Sequence, residues 1–170
     1  KDLFLKYGCK KLADKPFPII SYNDAMLKYG TDKPDLRNPL EIVDITDIFE
    51  ETTFKPFVGA TIRSIVVHEI GQNSNSWFNE LVAYANSIGM PGIGYITLLE
   101  DGSLKGPIDK FLSEEERDLL INDLGLKSNS VVFFIANRKE KEATRFAGLI
   151  RDELGKKLEL IDQDSYEFCI

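Results

Sequence analysis

The chain has 170 residues, and 28 Asp and Glu against 21 Lys and Arg give it a formal charge of −7. Hydrophobic residues at 43% and charged residues at 29% describe a folded globular chain rather than a disordered one. That length suits one well-buried core, and no apolar run approaches the ~18 residues of a membrane helix.

Lys1 to Lys15 is too charged to hold the apolar stretch of a secretory leader. Cys9 and Cys169 stand near opposite ends with no CxxC or Cys/His spacing around them. They read as reduced thiols in a cytoplasmic protein with no metal site. The charge is unevenly spread. Residues 1–37 hold eight basic and five acidic groups, 38–136 six and fifteen, and 137–170 seven and eight. An acidic middle opposes phosphate neutralisation, so any RNA contact is expected at the ends.

Ser21-Tyr22-Asn23-Asp24 is a capping-box-like start to a helix that Gly30 stops. Phe54–Val58 and Thr61–Ile70 read as two strands joined through Gly59-Ala60. Between Ser74 and Gly89 the spacing of Trp77, Leu81, Tyr84 and Ile88 predicts a helix with one buried stripe. Ile93–Leu99 is the next strand, followed by a turn at 100–103 and a short return at Leu104-Lys105. Ser113-Glu114-Glu115-Glu116 caps a helix running through Leu119, Leu120 and Leu124 to Gly125. Val131–Ala136, an unbroken apolar run, reads as a central strand. A last helix spans about Lys139 to Leu154, with Ala143, Phe146, Ala147, Ile150 and Leu154 on its apolar side.

This order predicts an α+β fold, a two-layer sandwich with a mostly antiparallel sheet and helices on one face. Trp77, Leu81, Tyr84, Phe146 and Ile150 should pack on a sheet face supplied by Ile62, Val66, Ile96 and Phe133 or their immediate alternates.

The chemistry-bearing residues are few. His68, the single histidine, reads as a half-buried strand residue on the face of Ile62, Val66 and Ile70. Gly92-Ile93-Gly94 precedes a strand instead of following one, which makes it a turn and not a phosphate cradle. Glu114–Glu116 suits the positive end of a helix dipole without forming a paired-carboxylate site. One stretch stands out: Tyr29-Gly-Thr-Asp-Lys-Pro-Asp-Leu-Arg37 crowds four charges around a proline directly after a helix stop. Asp35 can cap backbone donors there, and Lys33 and Arg37 can reach carboxylates or phosphates.

Phe17-Pro-Ile-Ile-Ser-Tyr-Asn-Asp-Ala-Met26 followed by the Tyr29–Arg37 stretch resembles bacterial-type aspartyl-tRNA synthetases. The similar segment leads from their class II catalytic core into an inserted domain, the GAD domain. Ile108–Ser113, Val131–Ala136, Leu154–Ile161 and Tyr166-Glu-Phe continue the likeness in order, and it is thinnest across 60–75. The resemblance implies three parts: residues 1–40 as catalytic-domain flank and linker, 41–160 as the inserted GAD domain, and 161–170 as a strand returning to the catalytic domain. The ends therefore read as cut from a longer protein.

It further implies a parent that activates aspartate with ATP and Mg²⁺ and esterifies tRNA, as a homodimer, while this segment alone is monomeric. The family's motif 2, containing Phe-Arg-x-Glu, and its glycine-rich motif 3 have no counterpart in this chain. No catalytic residue is carried over, and no cofactor is expected in the segment. Asp32, Lys33, Asp35 and Arg37 are expected at the boundary with the catalytic module, as an exposed, mobile hinge whose ion-pairing partners lie in the parent. Arg138, Lys141 and Arg145, spaced i, i+3, i+7 on the last helix, are the candidates for phosphate contact with tRNA. The alternative is the GAD module of a tRNA-dependent amidotransferase subunit.

Overall fold

The computed structural model describes residues 6, 11–12, 17–161, 163–166 and 169. Strands β2 (Ile42–Asp44), β3 (Thr61–Val67), β4 (Gly94–Leu98), β5 (Leu104–Lys105) and β6 (Val131–Asn137) form one sheet, ordered β2-β3-β6-β4-β5 and antiparallel at every pairing. Strand β1 (Lys11–Leu12) pairs in parallel with β7 (Ser165–Tyr166) as a separate ribbon. Within residues 17–161 the α-helices are α1 (Tyr22–Tyr29), α2 (Asn75–Ser87), α3 (Glu114–Asp123) and α4 (Glu140–Lys157). Among the described residues none is long and apolar enough to cross a membrane.

The caps act as the sequence indicates. Ser21, Ser74 and Ser113 each accept an N–H from the first turn, and Glu116 completes a capping box with Ser113. Gly30 closes α1 in the left-handed conformation at φ 70°.

The α+β, antiparallel reading holds, but the helices do not keep to one face. One face of the sheet, Ile65, Val67, Val131, Phe133 and Ile135, packs under α2 and α4. Its other face, Ile62, Ile96, Leu98, Val132 and Phe134, is covered by α3, a 3₁₀ turn at Thr46–Phe49 and the loop through Phe57. Period-two alternation sends odd-numbered β3 and β6 residues to the first face and even-numbered ones to the second. Ile62, Val66 and Ile96 therefore cannot share a face with Phe133. Double covering is the reason Val131 through Ile135 are all buried.

Three local expectations also change. Residues 55–59 form consecutive turns, not a strand. Pro56 has no N–H to give a ladder, and the Phe54 carbonyl accepts from Phe57 at 2.8 Å and Val58 at 3.2 Å instead. The partner of β3 on that side is β2, whose three residues are too few to show a period. On α2 the fully buried line is Phe78, Leu81 and Ala85, and Trp77, Tyr84 and Ile88 lie along its flank. Phe78 stacks on Tyr95 of the sheet at 4.5 Å between ring centroids, which sets that rotation.

His68 is exposed and lies beyond the end of β3, where Glu69 turns the chain at φ 63°. Ile70, its supposed face-mate, is buried under the helices, opposite Ile62. The ring Nδ1 of His68 is 2.7 Å from the Ser130 hydroxyl. Cys169 is a free thiol, and Cys9 lies outside the described residues.

Candidate functional site

The Tyr29–Arg37 stretch is not a detached hinge. It is held against α4 by groups at both of its ends. At the N-terminal end, α1 meets α4 through two glycines. A Cβ on Gly30 would lie 2.6 Å from the Gly148 Cα, and one on Gly148 would lie 2.8 Å from the Gly30 carbonyl oxygen. Backbones this close leave no room for a side chain on either helix.

At the C-terminal end the anchor is Arg151, a fully enclosed residue of α4. Its Nη2 donates to the carbonyls of Asp35 at 3.1 Å and Asn38 at 2.7 Å, and its Nε donates to the carbonyl of Leu40. The guanidinium also lies over the Tyr29 ring, 4.8 Å from its centroid, and near the Asp152 carboxylate at 3.5 Å. One planar cation thus gathers both ends of the stretch, a task its fixed fork of donors suits. Burial lowers its pKa, and Asp152, Tyr29 and Asp35 push back. Asn38 is buried beside it; its Nδ2 donates to the Arg151 carbonyl at 2.9 Å, while its Oδ1 accepts from Leu40 N–H at 3.1 Å.

Between these anchors the four boundary candidates divide. Asp35 and Arg37 form a two-point pair, Nε to Oδ1 at 2.9 Å and Nη2 to Oδ2 at 2.7 Å, and the Arg37 N–H caps Oδ1 at 3.1 Å. The Arg37 hydrogen bonds hold the Asp35 carboxyl below its ordinary range, against a smaller opposing effect of burial. Pro34 is buried, whereas Asp32 and Lys33 are exposed. Of this stretch the tip faces solvent, while the base is docked with Asp35 and Arg37 paired to each other.

Sequence reasoning missed Arg151, although a signal was present. It falls within the apolar stripe of α4, four residues after Ala147 and three before Leu154, where a lone cation needs acceptors. Arg63 gives the same signal in β3. It is 2% exposed and pairs with Asp44 of β2 and, at 3.3 Å, with Glu140 at the start of α4, while its Nε has no partner among the described residues. Burial lowers its pKa, opposed by Glu140. Asn38 carries no comparable mark.

The three RNA candidates do not share one helical face, because Arg138 sits in the bend before α4 begins. Lys141 is exposed. Arg145 pairs with Glu142 at 2.9 Å and lies over the Phe146 ring at 4.3 Å.

Arg138 instead lines a cleft of about 550 Å³ on the second face of the sheet, with Phe54, Phe57, Ile93, Ile108 and Phe134 among its walls. A neighbouring cleft of about 530 Å³ is lined by Lys55, Lys110 and Phe111, and the two share Phe54 and Pro56. Among the described residues no group of three His, Cys, Asp or Glu side chains could hold a metal ion.

Comparison with known proteins follows the same outline. Residues 51–147, more than half of the chain, match the GAD domain family. The whole chain is similar to part of several larger proteins. The aspartate–tRNA(Asp/Asn) ligase of Rickettsia felis is 40% identical over 99% of this chain and 29% of its own length. That of Ehrlichia chaffeensis is 43% identical over 99% and 29%. That of Zymomonas mobilis is 45% identical over 95% and 28%. The chain thus spans under a third of the relatives it matches, and strands β3 to β6, helices α2 and α3 and the start of α4 fall within the matched family segment. On that evidence the chain belongs to the GAD domain family.

Proposed function

We propose that the chain is a non-catalytic accessory segment of an ATP-dependent aspartate–tRNA ligase, a class II enzyme acting in translation in the cytoplasm. The observation that carries this reading is similarity to three such ligases running across nearly the whole chain. It includes the Tyr29–Arg37 stretch, which lies outside the GAD segment at 51–147. That flank is what weighs against the amidotransferase alternative. The relatives are named for both tRNA-Asp and tRNA-Asn, so the parent is expected to charge both. ATP and Mg²⁺ act in the parent's catalytic domain, which is also this segment's covalent partner, and the parent works as a homodimer.

Asp32, Lys33, Asp35 and Arg37 mark the boundary with that catalytic domain. Docking of their base on α4 would make the boundary a fixed bracket, so that the accessory segment keeps one orientation on its host. The deciding experiment is aminoacylation by the full-length protein. Aspartate should be esterified to tRNA with ATP and Mg²⁺, and the 170-residue chain alone should give no aspartate-dependent ATP–pyrophosphate exchange, lacking the groups that stabilise charge on a transferring phosphoryl centre. A full-length protein unable to charge tRNA, or an active isolated chain, overturns the reading.

A further inference from the structure

We propose that the two adjoining clefts at the Phe54–Pro56 ridge form a docking groove for a single-stranded stretch of tRNA. The inference rests on the ligase reading for the identity of its partner. The groove itself is argued from its chemistry.

Charge comes first. In a chain with 28 acidic and 21 basic residues, every charged residue lining the two clefts is a cation: Lys55, Lys110 and Arg138. All three are exposed, and among the described residues none of them is in an ion pair. Arg145, by contrast, is engaged by Glu142. A net acidic chain thus carries a local cationic rim, the sign that a phosphodiester backbone requires.

Aromatic surface comes second. Phe54 and Phe111 stack at 4.8 Å with their planes 15° apart, and Phe111 remains 46% exposed. Lys110 lies 5.1 Å from the Phe111 ring centroid, a cation beside an open aromatic face. Beyond the Phe54–Pro56 ridge the larger cleft continues over Phe57 and Phe134, with Arg138 on its lining. Cleft volumes of about 550 and 530 Å³ fall within the ~300–1,000 Å³ of small-ligand sites, so each has room for a base.

Aromatic platforms between cations are what unpaired nucleotides need, since every base has a face to stack and every linkage a phosphate to neutralise. A duplex hides its base faces, and the apolar walls would then have nothing to cover them. The groove lies across the sheet from α4, because Phe57 and Phe134 belong to the face that α3 covers. RNA docked there would not need the Lys141–Arg145 side of α4.

The test uses the 170-residue chain and a fluorescein-labelled 12-nucleotide single-stranded RNA, read by fluorescence anisotropy over a salt series. A blunt RNA hairpin and AMP serve as competitors. Phe111→Ala should weaken binding about 5-fold or more, within the ~1–3 kcal/mol range of one stacked base. The triple change Lys55→Ala, Lys110→Ala, Arg138→Ala should weaken it further. It should also reduce the slope of log Kd against log salt by about 2, three phosphates at ~0.7 each. Lys141→Ala with Arg145→Ala should leave affinity within about 2-fold. All the changed residues are exposed, and an unaltered circular dichroism spectrum excludes misfolding as the cause of a loss.

Four results overturn the groove: no binding by the unmodified chain, equal competition by the hairpin, displacement by stoichiometric AMP, or a loss confined to the α4 double variant. The ligase reading falls separately, through failure of the full-length protein to charge tRNA. A charging enzyme whose segment ignores single-stranded RNA would remove the groove alone.

Discussion

Asn38 and Arg151 hold each other reciprocally. The Arg151 Nη2 donates to the Asn38 carbonyl at 2.7 Å, and the Asn38 Nδ2 donates to the Arg151 carbonyl at 2.9 Å. Both side chains are buried, so neither bond has water as a substitute. Replacing Arg151 by Ala strips a donor from the carbonyls of Asp35, Asn38 and Leu40 together, at about 1–3 kcal/mol for each buried group left unsatisfied. The Leu40 and Asn38 bonds are buried and the Asp35 bond partly so, which makes the expected loss at least ~2 kcal/mol, read as a lowered urea midpoint with unchanged slope. Arg151→Lys should recover little, because an ammonium lacks the planar fork that reaches several carbonyls. Recovery to near the unmodified midpoint by Lys would show that charge alone anchors the stretch.

The glycine contact between α1 and α4 makes a sharper steric prediction. Gly148→Ala places a methyl 2.8 Å from the Gly30 carbonyl oxygen, which is backbone and cannot swing away. Overpacking of this kind costs ~1–3 kcal/mol, and thermal unfolding should record it as a lowered Tm. Gly92, with nothing within 4 Å of its added Cβ and no positive φ, is the control. Gly92→Ala should stay within ~0.5 kcal/mol of the unmodified chain.

Burial of α2 separates two neighbours that periodicity grouped together. Leu81 is 1% exposed and sits in the core under the helices, while Trp77 packs on its flank. Leu81→Ala should cost about 2–5 kcal/mol in chemical denaturation. An unchanged midpoint for the Leu81 variant would contradict the packing.

The Asp35–Arg37 pair gives a pH dependence with a definite sign. Arg37 depresses the Asp35 pKa in the folded chain, so its contribution to stability is fully present above the unfolded value. That contribution fades as pH falls past the ordinary carboxylate value of 3.8 and is gone below the depressed folded value. Asp35→Asn should therefore be less stable than the unmodified chain at pH 6, and the gap should close below about pH 4. The pair is partly exposed, so Arg37→Ala should cost the isolated chain no more than ~1 kcal/mol. On the ligase proposal, the same change in the full-length protein is expected to lower aminoacylation, and an effect confined to stability would remove Arg37 from the boundary.

The legible parts of this fold are those where one local rule decides. Serine caps, Gly30 and the apolar stripe of α4 follow from backbone donors and from a 3.6-residue period. The run from Val131 to Ile135 also announced burial on both faces, which already contradicts a sheet covered on one side. Elsewhere a distant partner decides. Trp77 looks like a core residue until Phe78 finds Tyr95 across the sheet. Phe54–Val58 has the composition of a strand, but Phe57 is committed to an edge contact with Phe49 at 4.9 Å and Pro56 cannot join a ladder. At the candidate site, Asp35 and Arg37 were visible as charges, and their shared base on Arg151 was not. Arg151 lies more than a hundred residues away, and only the folded chain brings it there.

The short ribbon of β1 and β7 has a topological consequence. Two antiparallel strands can be joined by a tight turn, but two parallel strands require a crossover, ordinarily a single helix of a dozen residues or more. Between Leu12 and Ser165 that crossover is a complete folded unit with its own core. Its strands and loops can lengthen, shorten or diversify without altering the register of the ribbon, since Lys11 still meets Ser165 and Leu12 still meets Tyr166.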